Sequence, residues 1–304
     1  MLRAPMANLC NLDGEIVPEA AARIPVLDRG FLFGDSIYEV VRTRGGAVFG
    51  WREHLQRLRA SADGIGLLLD LDDAAIVRRI DATLRAAGNA ESYVRLIVTR
   101  GTGSAPSIDL GAAPGPARWI VLVRDLPPGP ATARLQIIAR LRNDRRALDP
   151  AIKSGNYLNN VLGLAEAKAA GATDCLFLDA QGHATEASTS NVFALRGGRL
   201  LTPPLGVGIL AGVTRALLID FCRGRGDAVA ETDVTADAVR TADEVFLSST
   251  LRDVTPVTHV DGAPVRDGRP GPFAERLRAE FATACDRRAR DQDGPAWRRA
   301  ARVD

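Results

Sequence analysis

Short runs of alternating apolar and polar residues dominate the first part of the chain. NLDGEIV reads as a hairpin, two extended pieces about Asp13-Gly14. SIYEVVRTRGGAVFGW reads as two strands joined at Gly45-Gly46. The period then changes. WREHLQRLRASADGIG puts Leu55 and Leu58 on one side of a short helix, and Leu71 to Gly88 spaces Ile76, Ile80 and Leu84 four apart, with Gly88 as the stop. YVRLIVTRG and WIVLVRD return to strand character. Between them GTGSAPSIDLGAAPGPA is a loop of uncommon length, which makes it a candidate active-site loop.

LPPGPA, residues 126–131, combines prolines with glycine and reads as a linker. Beyond it LQIIAR is a strand and NNVLGLAEAKAAG a helix ending at Gly171. CLFLD and NVFAL are strands around the turn Ala180-Gln181-Gly182. TPPLGVGILAG feeds the helix VTRALLIDFCRG, EVFLSST is a strand, and PFAERLRAEFATAC is a closing amphipathic helix. Strands and helices intermix in both halves, so the class is α/β. The expected domains are 1–125 and 132–285, and the arginine-rich end, 286–304, reads as a solvated, frayed tail.

The chain has 304 residues, 46% hydrophobic and 25% charged, with a formal charge of +2. That length suits two domains, and that balance gives no reason to expect nucleic acid or a membrane surface as partner. No segment approaches the ~20 apolar residues of a membrane span, and MLRAPMANLC lacks the apolar core of a signal peptide. Four scattered cysteines and three scattered histidines suggest neither a disulfide framework nor a metal site. A reduced, cytoplasmic protein is expected. One detail changes the picture: only Lys153 and Lys168 are lysines, every other basic side chain being arginine. Arginine cannot serve as a neutral amine nucleophile, so a lysine here hints at a need for its amine.

Lys153 lies in IKSGNYLNN, where it is either an ordinary surface lysine or a partly buried amine between Ile152 and Tyr157. Glu186, in ATEASTSNVF, is either a turn residue or a carboxylate set among small neighbours. In GILAGVTRALL, a glycine-rich loop meets a helix, and backbone N–H groups at Gly212, Val213 and Thr214 offer an anion site. Thr250 places a hydroxyl at a strand's end. Arg57, in EHLQRL, reads equally as a helix-surface charge. The residues alone leave these alternatives open.

In order and spacing, these segments resemble the class IV, fold-type IV family of pyridoxal-phosphate enzymes. That family holds branched-chain aminotransferases, D-amino-acid aminotransferases and aminodeoxychorismate lyases. The pieces that carry the resemblance are DRGFLFGDSIYEVV from Asp28, EHLQRL, IKSGNYLNN, TEASTSNVF, LAGVTR and SSTLRDVTP. The resemblance implies a small N-terminal and a larger C-terminal α/β domain, a homodimer, and pyridoxal 5'-phosphate as cofactor. It implies that Lys153 forms the Schiff base and that Glu186 holds the pyridine nitrogen protonated. Arg57 rather than Arg52 then binds the phosphate with Val213, Thr214 and Thr250, and Tyr157 lies against the cofactor.

Phe33, Tyr38, Arg42, Tyr93, Arg95 and Arg252 match or adjoin substrate-pocket positions. Strand period puts Tyr38, Val40 and Arg42 on one face, and Tyr93 with Arg95 on one face of another strand. The Tyr93-x-Arg95 pair resembles branched-chain enzymes, and the loop after Arg100 lacks the arginine and histidine of D-amino-acid enzymes. Phe33 and Tyr38 depart from the branched-chain pattern, and Ala187 replaces the usual glycine. The expected function is transamination of an L-branched-chain amino acid with 2-oxoglutarate. The alternatives are a D-amino-acid or (R)-amine transaminase and an aminodeoxychorismate lyase.

Overall fold

The computed structural model describes residues 8–302. The chain divides into two compact units, one of residues 1–128, 152–156 and 285–304, the other of 129–151 and 157–284. The two are nearly equal in length, because two later pieces of chain return to the first unit.

The first unit is a six-stranded antiparallel sheet of β1 (Leu9–Leu12), β2 (Glu15–Pro18), β3 (Ser36–Arg44), β4 (Ala47–Val48), β5 (Ser92–Thr99) and β6 (Arg118–Asp125), in the order β2-β1-β6-β5-β3-β4. A short α1 (Arg29–Phe33) precedes β3. Two longer helices, α2 (Trp51–Gly64) and α3 (Asp73–Ala87), supply apolar faces to the core. Alternation decides which side of the sheet is dry: Ile37 and Val41 of β3 with Val94, Leu96 and Val98 of β5 join Leu55, Leu58, Ile76 and Ile80.

β4 pairs with β3 only at Thr43 and Arg44, so the first half of β3 has a bare edge. The segment 152–156 covers it. Tyr38 N donates to Lys153 O at 2.9 Å, Gly155 N donates to Ser36 O at 2.8 Å, and Ile37 bridges Ser154. Gly155 is required there, since a Cβ would sit 2.3 Å from Ser36 Oγ. An unpaired strand edge is a hazard, and this one is closed by five residues.

The second unit is a nine-stranded mixed sheet. Its strands are β7 (Ala133–Leu141), β8 (Asp174–Leu178), β9 (Ala184–Ala187), β10 (Asn191–Arg196), β11 (Arg199–Thr202), β12 (Ala228–Glu231), β13 (Glu244–Ser249), β14 (Asp253–Val260) and β15 (Ala263–Pro264). Their order is β12-β11-β10-β13-β14-β7-β8-β9, with β15 on β14 and a further pairing of β10 with β9. Three helices belong wholly to this unit: α4 (Leu158–Ala169), α5 (Val213–Gly224) and α6 (Ala236–Arg240). The turn at 180–182 leads from β8 into β9, a strand the apolar pattern did not reveal because ATEA is short and mixed.

The expected frayed tail is instead structured. Helix α7 (Pro272–Arg288) runs into a turn of π-helix (Ala289–Asp293) and then α8 (Gly294–Ala300). Trp297 is 1% exposed; its indole donates to Asp81 Oδ1 at 2.9 Å and meets Trp51 edge-on at 6.1 Å between ring centres. Gly50 N donates to Asp293 Oδ2 at 3.1 Å, and Arg288 pairs with Glu53. Counting charges hid an apolar side made of Ala289, Ala296, Trp297 and Ala301, which buries enough to hold the segment. Among the described residues no helix is long and apolar enough to cross a membrane.

Candidate active site

Lys153 belongs to the first unit, on the segment that closes the β3 edge. Its backbone N donates to Ser61 Oγ of α2 at 3.1 Å, so the residue is held from both sides. The side chain is buried. Nζ donates to Tyr38 Oη at 3.4 Å and lies 4.4 Å from the centre of the same ring. The Arg95 guanidinium sits 4.1 Å from that centre as well. Register explains the grouping: Val40 faces Arg95 and Arg42 faces Tyr93, so these side chains share one face of the sheet. An amine, a phenol hydroxyl and a guanidinium are thus gathered on a single tyrosine. Arg42 lines a separate cleft with Arg44 and Glu91, while Phe33 ends α1 with the Arg29 guanidinium 5.2 Å from its ring centre.

On the opposite face of β3, Glu39 points among apolar residues toward α2. His54 and Arg57, three apart and so on one helix face, both reach it. Arg57 Nε donates to Glu39 Oε1 and Nη2 to Oε2, each at 2.7 Å, and His54 Nδ1 is 2.7 Å from Oε2. Burial alone would raise the Glu39 pKa; the charge and hydrogen bonds of Arg57, helped by His54, bring it instead to about 2. Burial pushes the His54 pKa below its ordinary value, reinforced by the charges of Arg57 and Lys153 and opposed by Glu39. Arg52 does not join them; its guanidinium lies 4.4 Å from the centre of the Trp51 ring.

The second unit holds the other predicted residues. Glu186, on β9, is 5% exposed and accepts at both oxygens, from Arg142 Nε at 2.9 Å and from Leu210 N at 3.1 Å. It faces Asn191 of β10, which in turn faces Ser248 of β13. Asn191 Nδ2 donates to Leu210 O at 3.1 Å, fixing the loop that enters α5. A Cβ on Gly212 would lie 2.1 Å from Asn191 Oδ1, so this approach needs glycine. Val213 and Thr214 are buried at the first turn of α5, where N–H groups lack intrahelical partners. Thr250 is half-buried just past β13, and Tyr157 is half-buried at the N-cap of α4. Arg252 reaches to within 3.9 Å of Asp174.

This donor set fits pyridoxal phosphate. The Ser190 and Ser248 hydroxyls are buried with no protein partner, next in chain or sheet to the Glu186–Asn191 pair. A buried carboxylate, a helix start relieved by glycine and unsatisfied hydroxyls match a group with a basic ring nitrogen and a phosphate. Among the described residues no group of His, Cys, Asp and Glu is placed to hold a metal ion.

Sequence reasoning passed over Glu39, His54, Arg142, Ser190 and Ser248. A signal existed for one of them. Glu39 interrupts the buried face of an otherwise apolar strand, and a charge there implies a buried partner. Nothing local marks Arg142, since its partner is 44 residues away.

The family described as amino-transferase class IV matches residues 36–260. A Methanocaldococcus jannaschii protein with a provisional branched-chain-amino-acid aminotransferase name is 34% identical, covering 89% of this chain and 94% of its own. The D-alanine aminotransferase of Listeria innocua is also 34% identical, covering 89% and 93%. Among solved structures, a branched-chain amino acid aminotransferase from a T.th. strain, complexed with N-(5'-phosphopyridoxyl)-L-glutamate, superposes with a TM-score of 0.84. It is 31% identical, over 93% of this chain and 95% of that one.

Proposed function

The chain belongs to the class IV aminotransferases, pyridoxal-phosphate-dependent enzymes of fold type IV, and from that premise we propose that it moves an amino group between an L-branched-chain amino acid and 2-oxoglutarate. The observation that carries the substrate reading is the stack of Arg95 on Tyr38 beside Lys153 Nζ. An aromatic wall suits an apolar side chain, and one guanidinium within that wall suits the second carboxylate of glutamate. The relative complexed with a phosphopyridoxyl-L-glutamate supports the glutamate half.

Bound pyridoxal phosphate supplies the electron sink for the pair left when the substrate Cα–H bond breaks. The protein supplies the rest. Lys153 Nζ is the amine that carries the proton, and Tyr38 Oη, 3.4 Å away, holds it in position. Glu186, hydrogen-bonded by Arg142, is the carboxylate that would hold the cofactor's ring nitrogen and keep its proton there. Arg57 in the first unit, and in the second the N–H groups at the start of α5 with the Thr214 and Thr250 hydroxyls, are the groups that would hold a phosphate. Two copies of the chain form the working enzyme. Apolar side chains left exposed support this: Phe31 and Ile108 in the first unit, and Leu158, Val161 and Leu162 along one side of α4.

A D-amino-acid transaminase is the second reading, favoured by the Listeria relative and by Tyr38 itself. Mixing the yellow enzyme with single donors decides between them. L-Leucine, L-isoleucine or L-valine should bleach the visible band faster than D-alanine. Bleaching by D-alanine with none by L-leucine would reject the branched-chain assignment and leave the transaminase standing.

A further inference from the structure

Within the first unit, helix α2 touches both groups proposed to anchor the cofactor there. Arg57 projects from its middle, and further along Ser61 Oγ accepts from Lys153 N at 3.1 Å. Gly64, in its last turn, approaches Ile152 so closely that a Cβ would come within 2.8 Å of that side chain. The seat of α2 therefore sets the seat of Arg57 and of the segment that carries Lys153.

This helix does not cap its own start. Its N-cap, Gly50, has a φ of 62° and no side chain, so the contact that serine, threonine, aspartate or asparagine makes at that position is missing. In a capping box the third helical residue accepts the N-cap N–H. That residue here is Glu53, and its carboxylate pairs with Arg288 instead. Gly50 N donates to Asp293 Oδ2 at 3.1 Å, across 243 residues of chain. Asp293 is 3% exposed, and its counter-charge, Arg288 Nε, lies 3.2 Å away. The carboxylate meets the positive end of the α2 dipole. It ends the π-helical turn Ala289–Asp293, a rare geometry that recurs where a helix has to aim a functional side chain. Trp297 adds its edge-on contact with Trp51, the first residue of α2. The first turn of α2 is thus gripped at Gly50, Trp51 and Glu53 by three residues that lie beyond the stretch matched by the family, 36–260. That turn leads directly to Arg57. His54 N donates to Gly50 O at 3.1 Å, and the His54 ring meets Glu39, the partner of Arg57.

We propose that Asp293 is a positioning residue for cofactor binding: from the C-terminal segment it caps α2 and so keeps Arg57 in place for the phosphate. The inference rests on the phosphate role proposed for Arg57. Without the cap, the first turn of α2 frays in part of the population, and apparent affinity falls with the fraction still competent to bind. Bound cofactor restores the ordered helix, so the chemical step is left intact.

Enzyme stripped of cofactor is titrated with pyridoxal 5'-phosphate and followed by its visible absorbance. Asp293→Ala should weaken affinity by roughly three- to tenfold, the factor an N-cap is worth, while turnover at saturating cofactor stays at the parent's value. Asp293→Asn keeps an acceptor for Gly50 N and should recover most of the affinity. Ile76→Val, a trimmed core residue on α3, lowers the melting temperature without touching the cap and should leave affinity unchanged. Arg288→Gln loosens the same grip and should shift affinity in the same direction, which serves if Asp293→Ala does not fold. Glu39→Gln/Arg57→Ala is the reference for the phosphate role itself. Weak binding by that reference with full affinity in the folded Asp293→Ala protein overturns the inference alone. So does an Asn variant as weak as the Ala one, or an equal loss in Ile76→Val. Full affinity in the Arg57 reference overturns the phosphate role and the inference with it.

Discussion

The carboxylate of Glu39 and the guanidinium of Arg57 meet side-on, two parallel contacts of 2.7 Å, inside the first unit. Arg57 is therefore two things at once, the proposed phosphate ligand and the counter-ion of a buried acid. Arg57→Ala strands Glu39 and should destabilise the protein by about 3–5 kcal/mol, as breaking a buried pair does. Glu39→Gln/Arg57→Ala should recover much of that stability while cofactor affinity stays low. Urea unfolding reads the first quantity and cofactor titration the second. Arg52→Ala, which loses only a stack on Trp51, should change stability by about 1 kcal/mol or less.

Acid should weaken the same cluster in two stages. Glu39 has its folded pKa depressed to about 2, so its contribution is complete above the ordinary carboxylate value of 4.5 and is lost as pH falls toward 2. His54 has its folded pKa below 6.5, so the unfolded chain takes up its proton first and stability begins to fall below that pH. Urea midpoints at pH 7.5, 5.5 and 3.5 should decline in that order. Glu39→Gln should flatten the lower part of the curve, and an unchanged slope there would remove Glu39 from this account.

Borohydride treatment of the yellow protein should fix the cofactor on Lys153, which peptide mass mapping will locate. Lys168, exposed on α4, is the internal control, and an adduct there would refute the assignment. Lys153→Ala should still bind cofactor but lose turnover.

Glu186→Gln tests the ring-nitrogen role. The carboxylate accepts from Arg142 on one side and from Leu210 N on the other, and an amide can satisfy only one of them. A local penalty of about 1–3 kcal/mol is expected from the unmatched donor. The larger effect should be on the chemical step, seen as slow bleaching at saturating donor. Rates equal to the parent's would exclude Glu186 from the mechanism.

Arg95→Ala should slow the half-reaction with glutamate more than that with leucine, because only glutamate brings a second carboxylate. Stopped-flow bleaching with each donor gives the ratio directly. Equal losses would mean that Arg95 serves Tyr38 rather than the substrate.

Lys153 stands out in the sequence because a chain rich in arginine keeps only two lysines, and the structure finds its side chain buried beside Tyr38. The hairpins and the helices α2, α3 and α5 were legible through period alone. Glu39 with His54, and Glu186 with Arg142, were not paired in advance, because each pairing joins residues from separate elements and only the folded register decides it. The tail misled for a different reason. Its many arginines describe the outer face of a helix, whereas one tryptophan and three alanines describe the inner one, and composition averages the two.

The first unit is assembled from three stretches far apart in sequence: the one up to residue 128, residues 152–156, and the one from residue 285. On the ribosome, its sheet emerges early with the β3 edge uncovered, and neither residues 152–156 nor Trp297 is yet made. The unit that appears first in the sequence is thus among the last to be finished. Truncation near residue 285 would leave Trp51 and Asp81 without their indole partner, so a nascent or clipped chain should lean on chaperones until Trp297 is released.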